Sequence, residues 1–195
     1  MKKAIAVFIT SALLVTTEAY AKQTATEYAR LHQQIIATSR VTSVVKSEID
    51  KILDYDVMIK ESLGPSYELV TTEQASQINS LLRIVIRTNL ACKMFGAGPR
   101  ITWLSEEAIT PNTYIVKSVI APRAGSSEEP LNVDYVIRWD QTGYHVVDVL
   151  FEDVSTIRSY RSQFSRIIHR EGIPTLINKL KEKVKTLSIE ESDGC

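Results

Sequence analysis

Cysteine is scarce in this 195-residue chain: Cys92 and Cys195 are the only two, too few for a disulfide-dense scaffold. Seven glycines and six prolines exclude a collagen-like or low-complexity chain, and the ordinary charged content argues against disorder. Neither sign of charge prevails, with 23 Lys+Arg against 23 Asp+Glu. A general nucleic-acid binder would carry a basic excess, so no nucleic-acid partner is expected. No apolar run reaches the roughly 20 residues of a spanning helix. Catalytic signatures are missing too: there is no G-x-S-x-G, H-E-x-x-H, C-x-x-C or P-loop. His32, His145 and His169 fall on three separate predicted elements, whereas a metal needs convergent ligands. Gly96-x-Gly98 runs into Pro99 and a strand, so it reads as a loop and not a dinucleotide site. No metal, no cofactor and no catalytic residue are expected. The 44% apolar content and the length suit one domain with a substantial core.

The N-terminus reads as an export leader. Lys2 and Lys3 precede an apolar stretch, Ala4 to Val15, interrupted by Thr10 and Ser11, and Ala19-Tyr20-Ala21 forms an A-x-A cleavage signal. Cleavage after Ala21 defines a signal peptide over 1–21, a single domain over 22–187 and a polar tail over 188–195. With no Cys just after the cleavage site, the lipoprotein reading fails. The short apolar region and the A-x-A site point to a bacterial periplasm. In that oxidising compartment Cys92 and Cys195 could pair. Cys195 ends a polar tail, however, and Cys92 lies in an apolar helical pattern, where it reads as a small buried hydrophobe.

The mature chain is patterned as helices, then strands, then helices, which predicts an α+β domain. Tyr28, Leu31, Ile35 and Ile36 recur at helical spacing over 25–39. Val41, Val44, Val45, Ile49, Ile52 and Leu53 form a second pattern, with a break near Arg40. A short segment from Val57 ends at Leu63-Gly64-Pro65. Thr71-x-x-Gln74 is a capping box opening a helix whose stripe is Ala75, Ile78, Leu81, Leu82, Val85 and Ile86. Strands are predicted over 100–105, 113–121, 131–139 and 144–152, joined as an antiparallel meander with a tight turn at 140–143. Val133, Tyr135, Ile137 and Trp139 share one face, with Val136 on the other. Val147, Val149 and Phe151 alternate with Val146, Leu150 and Val154. A sheet apolar on both faces needs cover on both, or lines a cavity. Ile157, Tyr160, Phe164, Ile167 and Ile168 form a helical face ended by Gly172. Ile173, Leu176, Ile177, Leu180, Val184 and Leu187 form the last seam.

The neutral total hides segregation. Residues 155–187 hold eight Lys/Arg (Arg158, Arg161, Arg166, Arg170, Lys179, Lys181, Lys183, Lys185) against Glu171 and Glu182, a local charge of +6. This region could dock an acidic partner, make transient contact with an anionic membrane surface, or be a solvated helix face. Asp148, between Val147 and Val149, needs a partner if buried; Arg87 and Arg138 are candidates.

Val154-Ser155-Thr156-Ile157-Arg158-Ser159-Tyr160-Arg161-Ser162-Gln163-Phe164, followed by Arg170-Glu171-Gly172, resembles the C-terminal signature of the MlaC / toluene-tolerance family. Asp54-Tyr55-Asp56, Leu63-Gly64, Arg87-Thr88 and Trp139-Asp140 through Val149 also fit that family. Asn89 stands where the family pattern has an aromatic residue, Asp153 where it often has a small one, and the tail to Cys195 lies outside it.

The resemblance implies an NTF2- or cystatin-like fold: a curved four-stranded antiparallel sheet wrapped by helices around an apolar lipid cavity. It implies a non-enzymatic phospholipid carrier, with bound phospholipid as cargo. The carrier would work between an inner-membrane ABC transporter with its MCE-type subunit and an outer-membrane lipoprotein–porin complex, maintaining outer-membrane lipid asymmetry. Hopanoid or another apolar lipid is the alternative cargo within the same architecture. The candidate lining is Met58, Leu82, Val85, Ile86, Val136, Val147, Val149, Phe151, Ile157, Tyr160 and Phe164. Arg158, Arg161 and Gln163 are candidates for the head group or for ordering nearby structure. An enzyme on such a fold would pair Asp148 as base with Tyr135 or Tyr114.

Overall fold

The computed structural model describes residues 23–39, 42–95, 101–122, 127 and 129–192. The predicted leader and its cleavage site, the break at Arg40, and Cys195 with its pairing lie outside the described residues.

Among the described residues six α-helices flank one sheet: α1 (Ala25–Thr38), α2 (Thr42–Ile52), α3 (Tyr55–Leu63), α4 (Thr72–Phe95), α5 (Thr156–Glu171) and α6 (Ile173–Ser192). A 3-10 segment, Gly64–Leu69, follows α3. Local chemistry sets the boundaries. Thr24 and Glu27 form a reciprocal capping box on α1, and Thr71 and Gln74 do the same ahead of α4, through bonds of 3.0 and 3.3 Å. Asp54 caps α3 by accepting from the Val57 N–H, and Ser155 caps α5 through the Arg158 N–H. Gly172, at φ 83°, lets the chain leave α5 and enter α6 with no intervening loop. The last helix continues past Leu187, so the polar segment after it begins as helix.

The strands are β1 (Ile101–Thr110), β2 (Thr113–Ile120), β3 (Leu131–Asp140), β4 (Gly143–Phe151) and β5 (Val154–Ser155), in the order β1-β2-β3-β4-β5. All neighbours are antiparallel. The expected four-stranded curved sheet is corrected on two points. A fifth strand is present, and the sheet is open, with β1 and β5 at its edges. The extra strand arises because Glu152 and Asp153 both adopt positive φ, 48° and 61°. Two such residues make a tight hairpin turn, folding Val154–Ser155 back onto β4.

Two expected faces are also corrected. The buried side of α1 is Ala25, Ala29, Gln33 and Ile36, while Leu31 and Ile35 are exposed. Two alanines permit close approach to the sheet, and Gln33 is accepted in the interior because its amide donates to the Tyr135 hydroxyl. In β4, Ile137 pairs with Val146 and Val136 with Asp148, leaving Val147 as the extra residue of a bulge. The bulge shifts the alternation. Val146, Val149 and Phe151 therefore share one face, in place of Val147, Val149 and Phe151.

The core lies between the inner face of the sheet and the helices. Paired residues across strands share a face, so Val116, Tyr135 and Val149 form one row and Tyr114, Ile137 and Val146 the next. Met58 of α3, Leu82, Val85 and Ile86 of α4, and Ile157 and Phe164 of α5 belong to the same buried cluster as these rows. Leu176, Ile177, Leu180 and Leu187 of α6 complete the same core.

Candidate functional site

The candidate site is this apolar interior. Met58, Leu82, Val85, Ile86, Val149, Ile157 and Phe164 all belong to one continuous buried cluster, with Phe151 and Tyr160 half-buried against it. Val136 does not join them. It pairs with Ile115 and Asp148 on the outer face of the sheet. Val147, in the bulge, is half-buried and also outside the cluster. The alternation along β3 separates Val136 from Tyr135; only the register to β4 separates Val147 from Val149.

The signature on α5 divides by function of position. Tyr160 and Phe164, four residues apart, share the inward side, and their rings stack with centroids 5.4 Å apart. The Tyr160 hydroxyl accepts from the Asn89 amide at 3.2 Å, which accounts for a polar residue in α4 where the family pattern has an aromatic one. Burial raises the Tyr160 pKa, a shift the Asn89 hydrogen bond partly opposes. Arg161 points elsewhere. Its Nε–H donates to the Glu61 carbonyl at 2.6 Å, and its guanidinium pairs with the Glu61 carboxylate. Arg158 and Gln163 line a separate groove of about 550 Å³ on the outside of α5. The structure thus brings nine of the eleven apolar candidates together, all but Val136 and Val147, sets Arg158 and Gln163 on one outer groove and sends Arg161 to Glu61.

Three polar features of the interior escaped sequence reasoning. Trp103, half-buried on β1, meets Tyr135 with ring centroids 6.1 Å apart. Gln33 reaches Tyr135 from α1. Burial also pushes the Tyr135 hydroxyl pKa upward, so it stays neutral. Glu48 is buried on α2, held by His32 at 2.5 Å and Lys51 at 2.8 Å. Helical periodicity reads apolar residues, so Gln33 and Glu48 carried no signal; tyrosine and tryptophan on an alternating strand did.

Asp148 is a structural acceptor. Its Oδ1 accepts from the Val149 N–H at 2.9 Å and the Ile157 N–H at 3.1 Å, and its Oδ2 from the Ser155 hydroxyl at 2.5 Å. It therefore welds β4 to the start of α5. The expected arginine partners are engaged elsewhere, Arg87 with Asp50 at 2.8 Å and Arg138 with Asp54 at 2.6 Å. An acid–base pair with Tyr135 or Tyr114 is overturned by register. Tyr135 pairs with Val149 and Tyr114 with Ile137, both on the inner face, whereas Asp148 pairs with Val136 on the outer one.

A second cleft, about 290 Å³, lies where α2 meets α3 and the β3–β4 turn; Asp50, Asp54, Asp56, Asp140, Arg83 and His145 are among its walls. Its acids largely serve the fold. Asp50 also accepts from the Tyr55 hydroxyl at 2.7 Å, and Asp140 from the Thr142 N–H and hydroxyl. Among the described residues no group of three or more His, Cys, Asp or Glu is arranged to hold a metal, and no helix is long and apolar enough to cross a membrane.

Comparison with known proteins agrees with this architecture. The phospholipid-binding protein of Ralstonia solanacearum, solved in complex with a phospholipid, superposes with a TM-score of 0.70 at 19% identity. The superposition covers 86% of this chain and 99% of that one, and establishes a shared fold. A search of curated protein sequences returned no match. The family model for MlaC protein matches residues 20–182, nearly the whole described region and the full signature on α5. The chain belongs to the MlaC family.

Proposed function

We propose that this protein is a periplasmic phospholipid carrier that moves lipid between an inner-membrane ABC transporter complex, through its MCE-type subunit, and an outer-membrane lipoprotein–porin complex. The observation that carries the reading is the family match across residues 20–182. The apolar interior and the fold shared with a phospholipid-binding protein support it. In this reading acyl chains insert into the apolar interior between the inner sheet face and α3, α4 and α5, among Met58, Leu82, Val85, Ile86, Val149, Phe151, Ile157, Tyr160 and Phe164.

The energetics suit transfer. Burying a methylene gains roughly 0.8 kcal/mol, so two chains of about 16 carbons gain on the order of 25 kcal/mol relative to water. A bilayer offers a similar gain, so exchange between bilayer and protein sits near balance, as a carrier requires. Nothing in this process needs an acid, a base or a metal, in keeping with a non-catalytic protein.

Native mass spectrometry of the exported protein tests the proposal. The expected result is a chain beginning at Lys22 with a stoichiometric phospholipid. A hopanoid in its place redirects the cargo, and protein that never takes lipid from liposomes overturns the carrier reading.

A further inference from the structure

We infer that the groove along α5 is a docking surface for an acidic, extended segment of a partner protein. Its walls include Val154, Ser155, Arg158, Ser162, Gln163 and Arg166, and among the described residues its one lining carboxylate is Asp153. Three other cations of this region are matched, Arg161 with Glu61, Lys179 with Glu171 and Lys185 with Glu182, while Arg170 and Lys181 are exposed but do not line the groove. Arg158 and Arg166 are exposed and form no ion pair among the described residues. Ser162 and Gln163, exposed between them, make no side-chain hydrogen bond among the described residues. The charge of Arg158 also acts on Asp148 beneath the start of α5, but both guanidinium forks, the hydroxyl and the amide remain exposed for a ligand.

The geometry selects the ligand. Arg158, Ser162 and Arg166 lie at successive four-residue steps on one side of α5, so the two guanidinium stems are about 12 Å apart along the axis. In an extended chain, carboxylates about four residues apart span a similar distance, and each suits a bidentate arginine contact. A lone phosphate fits poorly. The first turn of α5 is already satisfied by Asp148 and Ser155, through the Ile157 and Arg158 N–H groups, and the groove is much larger than one anion. A bilayer surface fits poorly as well, because it engages protruding lysines and apolar side chains, and these arginines border a concavity.

The inference rests on the carrier reading for its use, since a carrier must be recognised at each end of its route, but not for its geometry. The test uses the mature, lipid-loaded protein and a short fluorescein-labelled Ser/Thr peptide bearing two Glu about four residues apart, with a Gln-for-Glu control. Fluorescence anisotropy should show the Glu peptide binding at low salt and the control binding about tenfold more weakly or not at all. R158E and R166E should each weaken the Glu peptide by about tenfold, while K181E, which changes an exposed cation on α6, leaves it unchanged. Equal binding of both peptides, or unaltered binding by R158E and R166E, overturns the inference. So does Arg158- and Arg166-dependent sedimentation with phosphatidylglycerol vesicles in the absence of peptide binding, which assigns the groove to membranes. Phospholipid content, read by native mass spectrometry, should be the same in all variants. Its absence from the unmutated protein would instead defeat the carrier reading, whatever the peptide does.

Discussion

Arg161 braces the end of α3 against α5: its Nε–H donates to the Glu61 carbonyl at 2.6 Å, and its Cδ lies 3.3 Å from where a Cβ would stand on Gly64. Gly64 turns the chain at φ 55°, a conformation that other residues adopt at a cost of about 1–3 kcal/mol. The arginine stem fills the space that the missing side chain leaves.

Gly64→Ala should therefore destabilise the protein by about 1–3 kcal/mol, read as a lower urea midpoint with unchanged slope. The companion Arg161→Ala should recover part of the loss in a double-mutant cycle, because it removes the crowding but not the backbone strain. Strict additivity would mean that the two residues are not in contact.

The two sheet faces predict opposite outcomes for one substitution. Val149→Trp overfills the inner face, costing about 1–3 kcal/mol, and should reduce co-purifying phospholipid. Val136→Trp, on the outer face, should leave phospholipid content unchanged. Equal loss in both variants would break the assignment of the interior as the cargo space.

Asp148 and Glu48 should respond to pH with opposite sign. Burial raises the Asp148 pKa despite hydrogen bonds from Ser155, Ile157 and Val149. Its charge therefore opposes folding as pH rises above the ordinary value of about 3.9. The stability of Asp148→Asn relative to the unmutated protein should improve as pH rises from about 3 to 6. Asp148→Ala strands three donors and should cost about 1–3 kcal/mol at any pH. Urea titrations across pH report both.

For Glu48, burial also raises the pKa, but hydrogen bonds and charge from Lys51 and His32 outweigh it and leave the pKa lowered. Its contribution is present above the unfolded value of about 4.3 and is lost as pH falls through the lower folded value. Glu48→Gln should therefore lose ground relative to the unmutated protein as pH rises through that window. A trend parallel to that of Asp148→Asn would contradict the His32–Glu48–Lys51 contact.

The long amphipathic elements were legible because their signal repeats. Ile78, Leu82, Val85 and Ile86 of α4, and Leu176, Ile177 and Leu180 of α6, were on the expected stripes and are buried. The α1 stripe misled because its buried face uses two alanines and a glutamine, while Leu31 and Ile35 face out. The fifth strand was hidden because Glu152-Asp153 is an unusual pair for a positive-φ turn, which more often draws Asn-Gly.

By itself, the sequence determined the α+β order, the capping box ahead of α4, the apolar stripes of the later helices and the family signature on α5. These rest on local spacing and side-chain chemistry, which act over a few residues. Tertiary structure alone decided which apolar residues meet and what the polar ones do. A bulge at Val147 moved Val146 to the inner face, Arg161 found Glu61 on another helix, and Asp148 turned away from every tyrosine offered as its partner. Such outcomes depend on register and on contacts between segments far apart in the chain, where a shift of one residue exchanges cargo space for outer surface.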